Sequence, residues 1–266
     1  MTETVKWHDT AWRDELLARV YEPPAAARAQ RNGAAVVDVH GGAWSSRNRT
    51  LGEVYGQAVA AAGFVVVAMD FRDGRNARHP AAVEDIAEAV QWVQKKADLG
   101  VDPDRVALMG SSSGGHLALH TALTGVEVPF VGAFWPPVDP LARYRYAKAK
   151  IGQPVPEGQN FDAIGLVGST EAYFVDETTM GEASISNVLR AGRARHLPSV
   201  WLVHAGEDLN VPRPMIDELV AEYARAGGQL ELTVYPGEVH GFGHGTHDGA
   251  LRFQATLVDK LAAALS

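Results

Sequence analysis

Three residue types that make a nucleophile in combination recur here in suggestive settings. Ser112 sits at the centre of Gly110-Ser111-Ser112-Ser113-Gly114. The stretch before it, Arg105 to Met109, is an apolar run of the kind buried on both faces of a parallel sheet. The stretch after it, from His116 onward, is competent to form a helix. A serine held in a tight turn between strand and helix is the G-x-S-x-G pattern of an activated serine. A sharp turn needs small neighbours, so Gly110 and Gly114 let strand and helix approach closely. The helix N-terminus behind Ser112 favours a developing negative charge. Ser is a weak nucleophile until a neutral imidazole takes its proton, and His240 in the loop Pro236–Phe242 can do so. A carboxylate that orients that imidazole fits just past a strand, where Glu207 and Asp208 precede Val211-Pro212. Two further glycines, Gly41 and Gly42, close another apolar run, where backbone N–H groups can meet a transition-state oxyanion.

Composition limits what surrounds these groups. The 266 residues fit one α/β domain, and 46% hydrophobic residues supply a sizeable core. A net charge of −8 argues against a general nucleic-acid binder. With no cysteine, there is no disulfide, thiolate metal site or thiol nucleophile. The start, Met1 to His8, lacks the basic and apolar regions of a signal peptide, and no apolar run is long enough to span a membrane. The expectation is a soluble, cytoplasmic protein acting on a small molecule, with no cofactor, no metal, no membrane and no nucleic acid as partner. The sequence leaves room for a homodimer.

The elements that must position these groups alternate in type. Strands are expected at Ala34–Val39, Phe64–Met69, Arg105–Met109, Phe130–Trp135, Ser199–His204 and Leu230–Tyr235. Helices are expected at Thr50–Gly63, Pro80–Lys96, residues 213–226 and Thr246–Leu265. Val83, Ile86, Ala87, Val90 and Val93 give the second helix one apolar face. That alternation predicts a mainly parallel sheet flanked by helices. Glu15–Glu22 reads as an edge strand and Ala25–Gly33 as a surface loop. Residues 138–198 break the rhythm and read as a cap insertion, with Tyr144, Tyr146, Tyr173 and Phe174 inside it. Its basic run, Arg143, Arg145, Lys148 and Lys150, reads first as a solvated helix face, and as a contact for an anionic substrate second. His240, His244 and His247 cluster, but their spacing matches no zinc motif.

His40-Gly41-Gly42-Ala43-Trp44 resembles the HGGxW motif of α/β-hydrolases related to arylformamidases and small acyl esterases. The resemblance runs from His40 to His240 and implies an α/β-hydrolase fold. It implies oxyanion donors at the amides of Gly42, Ala43 and Ser113, with His40 supporting the loop. Asp70 and Arg72 would be loop-fixing residues. The family's acid pattern selects Asp208 over Glu207. The order Ser112, Asp208, His240 is the order such enzymes use. The expected activity is hydrolysis of a small soluble ester through an acyl-enzyme, with an arylformamidase as alternative and an inactive receptor or scaffold as third reading. Ser111 stands where lipase-like relatives carry an acid, and only 39 residues precede His40, so small substrates are favoured over lipid. Trp44 and Phe242 beside the motifs, with Trp135 and Tyr144, are the expected substrate-binding walls.

Overall fold

The computed structural model describes residues 4–266. The expectation of no leader begins on residues 1–3, which lie outside the described residues. Eight strands form one sheet in the order β1-β2-β4-β3-β5-β6-β7-β8. They are β1 (Lys6–Arg13), β2 (Leu16–Glu22), β3 (Ala35–Val39), β4 (Val65–Met69), β5 (Val106–Ser111), β6 (Phe130–Phe134), β7 (Ser199–Ala205) and β8 (Leu230–Tyr235). From β4 to β8 all pairings are parallel, while β1 and β2 join antiparallel. Every residue of β3, β4, β5 and β6 is buried, as sequences this apolar require between two helical layers.

The N-terminal expectations need correction. The segment read as an edge strand, β2, lies inside the sheet between β1 and β4. The edge on that side is β1, which carries five polar or charged residues among its eight and is mostly exposed. With little apolar alternation it gave no strand signal; an exposed edge tolerates that composition. Ala25–Ala29, read as loop, is a short helix, α1.

The other helices are α2 (Glu53–Ala61), α3 (Ala81–Lys95), α4 (Ser113–Thr124), α5 (Pro140–Lys150), α6 (Ala163–Phe174), α7 (Glu177–Glu182), α8 (Ile185–Arg190), α9 (Arg213–Arg225) and α10 (Asp248–Ala264). Helices α5–α8 fill the interval 138–198. Among the described residues no helix is long and apolar enough to cross a membrane.

A layer of histidines joins this insertion to the sheet. His116 of α4 accepts a hydrogen bond at Nδ1 from Trp44 Nε1 (3.2 Å) and donates from Nε2 to the Ala183 carbonyl (2.8 Å). The rings of His79 and His120 pack beside each other at 5.4 Å, and His79 also packs against Phe174. Burial pushes His116 down to about 3 and His79 down to about 4, and holds His120 well below its ordinary value. These groups are neutral when folded, whereas the unfolded chain takes up protons below about pH 6.5. Stability must therefore fall as pH drops from 6.5 towards 4. His79→Phe removes one such group. Its stability should decline less steeply than wild type across that window, by up to about 1.4 kcal/mol per pH unit. Urea melts at a series of pH values measure this, and equal slopes would mean that His79 is charged in the folded protein.

Candidate active site

The β5–α4 turn places Ser112 as its residue types demand. Ser112 has φ 51° and ψ −126°, a conformation an L-residue adopts only under constraint, costing about 1–3 kcal/mol. The constraint is packing. A Cβ on Gly114 would lie 2.0 Å from the Val39 carbonyl oxygen, so only glycine lets α4 meet β3 this closely. Ser112 N–H is anchored to the Phe134 carbonyl of β6 at 2.8 Å.

His240, in the loop after β8, comes over this turn. Its Nε2 lies 2.9 Å from Ser112 Oγ and its Nδ1 2.8 Å from Asp208 Oδ2. The carboxylate can only accept, so Nδ1 carries the proton and Nε2 is left to receive the serine proton. Asp208 follows β7, and its side chain has no exposure. Its Oδ1 accepts from the backbone N–H groups of Asn210 (2.8 Å) and Val211 (2.9 Å), which fixes the carboxylate plane. The rival Glu207 is exposed, its N–H donating to the Glu238 carbonyl.

Around this triplet lies a cleft of about 330 Å³. Gly42 and Ala43 line it together with Ser112 and His240. Gly42 has φ 121°, and a Cβ there would sit 2.1 Å from the Ser46 carbonyl oxygen, so this loop too requires glycine. Ala43 and Trp44 follow at φ 51° and 61°, a run of left-handed residues that turns the chain sharply after β3. Ser113 occupies the first position of α4, where its N–H has no partner within the helix. The loop is braced from behind. His40 stacks on Phe71 with centroids 4.3 Å apart and donates from Nδ1 to the Gly41 carbonyl. Asp70 accepts from both the backbone and the guanidinium of Arg49 at 2.8 Å. Arg72 instead clamps Asp85 of α3, tying the end of β4 to that helix.

The expected walls divide. Trp135, at the end of β6, lines the cleft. Trp44 does not: it is 2% exposed, bonded to His116 and packed on Phe174. Its ring therefore ties the loop to the insertion rather than forming a wall. Phe242 is also core, packed on Trp135 at 4.9 Å and on Tyr235 at 5.0 Å. Tyr144 is buried, its hydroxyl donating to Glu171 of α6 at 2.7 Å, and it does not line the cleft. Tyr173 and Phe174 are fully buried, with the Tyr173 hydroxyl accepting from Ala82 N–H at 3.2 Å. Trp44, Phe242, Tyr144, Tyr173 and Phe174 therefore serve packing rather than the cleft wall.

What the insertion does contribute to the cleft is polar: Arg143, Asn160, Asp162 and Ser169, with Gly165 and Leu166. The basic run is thereby split. Arg145 pairs with Glu177, Lys148 donates to Tyr144 Oη and Lys150 to Gln153, while Arg143 is 2% exposed within the cleft wall. A signal for this existed, since Arg143 shares the inward face of α5 with Tyr144 and Ala147. The three C-terminal histidines diverge. His244 lines the cleft against Trp135, and His247 lies near Glu238 at the start of α10.

The geometry has counterparts among known proteins. A family model described as alpha/beta hydrolase fold matches residues 36–244. Carboxylesterase NlhH of Mycobacterium tuberculosis is 35% identical over 241 residues, covering 86% of this chain and 71% of that enzyme. Ethyl acetate hydrolase of Pseudomonas putida is 27% identical, covering 85% and 71%. Among solved structures, a hyperthermophilic esterase from Pyrobaculum calidifontis superposes with a TM-score of 0.76 over 99% of this chain and 86% of that one, at 24% identity. At that identity the superposition speaks for the fold. Together with the strand order and the matched span, these relationships show that the chain belongs to the α/β-hydrolase fold family.

Proposed function

We propose that the protein hydrolyses small carboxylic esters in the cytoplasm through an acyl-enzyme on Ser112. The observation that carries this reading is the alignment of Ser112 Oγ, His240 and Asp208 through contacts of 2.9 Å and 2.8 Å. Ser112 Oγ attacks the ester carbonyl carbon while its proton passes to His240 Nε2. Asp208 stabilises the imidazolium so formed. The carbonyl oxygen becomes an oxyanion, held by the amides of Gly42, Ala43 and Ser113. Collapse breaks the carbon–oxygen bond to the alcohol, which leaves with the proton from Nε2. Water repeats the sequence on the acyl-serine and releases the acid.

The names of the relatives above support ester hydrolysis as the reaction. The cleft, about 330 Å³, stands near the lower end of the range for ligand sites, roughly 300–1,000 Å³, which favours short acyl chains. A panel of p-nitrophenyl esters from acetyl to dodecanoyl, run beside N-formylkynurenine, tests the reading. The expected kcat/KM is highest at about two to four acyl carbons, a length suited to so small a cleft, and low on the formamide. Fastest turnover of the formamide would replace the ester by an amide as substrate. Cell fractionation tests the compartment, with the protein expected in the cytoplasmic fraction.

A further inference from the structure

The basic side chain in the cleft wall has no counter-charge in direct contact among the described residues. Arg143 lies in the first half of α5 and is 2% exposed. Among the described residues its one side-chain hydrogen bond runs from Nη1 to Thr170 Oγ1, at a long 3.4 Å. Nε is buried without a partner. The guanidinium carbon stands 5.4 Å from the centroid of the Trp44 ring, a favourable contact that satisfies none of its N–H donors. No ion pair among the described residues includes it, although the other three cations of its run all have polar partners. A guanidinium offers five donors, and burying most of them unmet is costly unless an anion arrives to accept them.

The position of this charge gives it a use. Arg143 lines the same cleft as Ser112 and His240. Two carboxylates stand nearby. Asp208 is engaged by His240 and two backbone amides, and Asp162 is exposed at the cleft, where its Oδ1 accepts from Gly165 N–H. Neither neutralises the guanidinium by direct contact. Burial draws Arg143 down to about 10, still charged at neutral pH, with the Asp208 charge opposing the shift.

We infer that Arg143 is a specificity-determining residue that binds a carboxylate carried by the ester substrate, so that monoanionic esters are preferred over neutral ones of the same shape. The planar fork of guanidinium donors matches a carboxylate in two parallel bonds. The inference rests on the ester-hydrolase reading and names the substrate class within it.

The test compares two matched pairs, and the pairs separate the two places the carboxylate can occupy. Monomethyl glutarate against dimethyl glutarate puts it on the acyl side. 4-Acetoxybenzoate against phenyl acetate puts it on the leaving alcohol. Wild type should favour the anionic member of one pair by roughly tenfold to a hundredfold in kcat/KM, mostly through KM. Arg143→Met, which removes charge but keeps an unbranched stem, should abolish that preference, and Arg143→Lys should retain part of it. If Arg143 is only packing, Arg143→Met lowers melting temperature and both members of a pair fall together, which overturns the inference. It is also overturned if wild type favours neither anionic ester while turning over the neutral ones. Should Arg143→Met fail to fold, glutarate decides on wild type. It should inhibit dimethyl glutarate turnover competitively, and no inhibition at about 10 mM, well above the millimolar Kd of a weak contact, overturns the inference. Failure of all four esters would overturn the ester reading itself, and the inference with it.

Discussion

Ser112→Ala should reduce kcat by about 10⁴-fold or more while the protein stays folded. That loss corresponds to about 5.4 kcal/mol or more of transition-state stabilisation. The expectation follows from what the hydroxyl touches. Among the described residues its one side-chain partner is His240 Nε2 at 2.9 Å, and the serine backbone is held independently by its N–H bond to Phe134. Alanine has a Cβ like serine, so it meets the φ of 51° at Ser112 with no new strain. His240 keeps its bond to Asp208. Circular dichroism and the melting temperature should therefore barely move. Turnover and covalent labelling by a fluorophosphonate should both disappear. Retention of more than about a tenth of the wild-type rate would remove Ser112 from the nucleophile's role.

Much of this site was legible because it is made of local patterns at strand ends. The buried runs of β3, β4, β5, β6 and β7 are continuous and apolar, so their ends, and the loops carrying His40–Trp44, Ser112 and Asp208, could be placed from sequence. Backbone strain at Ser112 and the glycine at Gly114 follow from the chemistry of the turn. What was not legible is where side chains outside the motifs point. Trp44 adjoins the Gly41–Ala43 turn, yet three positive φ values from Gly42 to Trp44 rotate its ring into the layer of His116 and Phe174. No propensity or spacing announces such a rotation. The insertion is similar. Its aromatics Tyr144, Tyr173 and Phe174 join the main core beside Trp44, and a cation, Arg143, lines the cleft with Ser112. Hydrophobic pattern predicts burial, and burial is shared by wall and core alike. The β1 edge was missed for the opposite reason, since an exposed antiparallel strand needs no apolar face.

Asp208→Asn should lower kcat by roughly 10⁴-fold, and Glu207→Gln by no more than about twofold. The size of the first effect follows from hydrogen-bond bookkeeping at one carboxylate. Oδ1 accepts from the amides of Asn210 and Val211, and Oδ2 accepts from His240 Nδ1. Asparagine has one accepting oxygen and one donating nitrogen. Two backbone donors at 2.8 and 2.9 Å hold its oxygen in the Oδ1 position. Its NH2 then faces His240 Nδ1 and donates to it, which drives the ring proton to Nε2. The imidazole would then offer Ser112 Oγ a hydrogen where it must accept one, and no negative charge would remain behind the ring to stabilise an imidazolium. The fold has little reason to change, because the side chain keeps its volume and three bonds. Glu207 has no such place: it is exposed, and its backbone, not its carboxylate, holds the loop through Glu238 and Gln159. Steady-state kinetics on one short-chain ester, with melting temperatures for both variants, make the comparison. A larger loss from Glu207→Gln than from Asp208→Asn would mean that the carboxylate supporting His240 in solution is not the one at 2.8 Å from its ring.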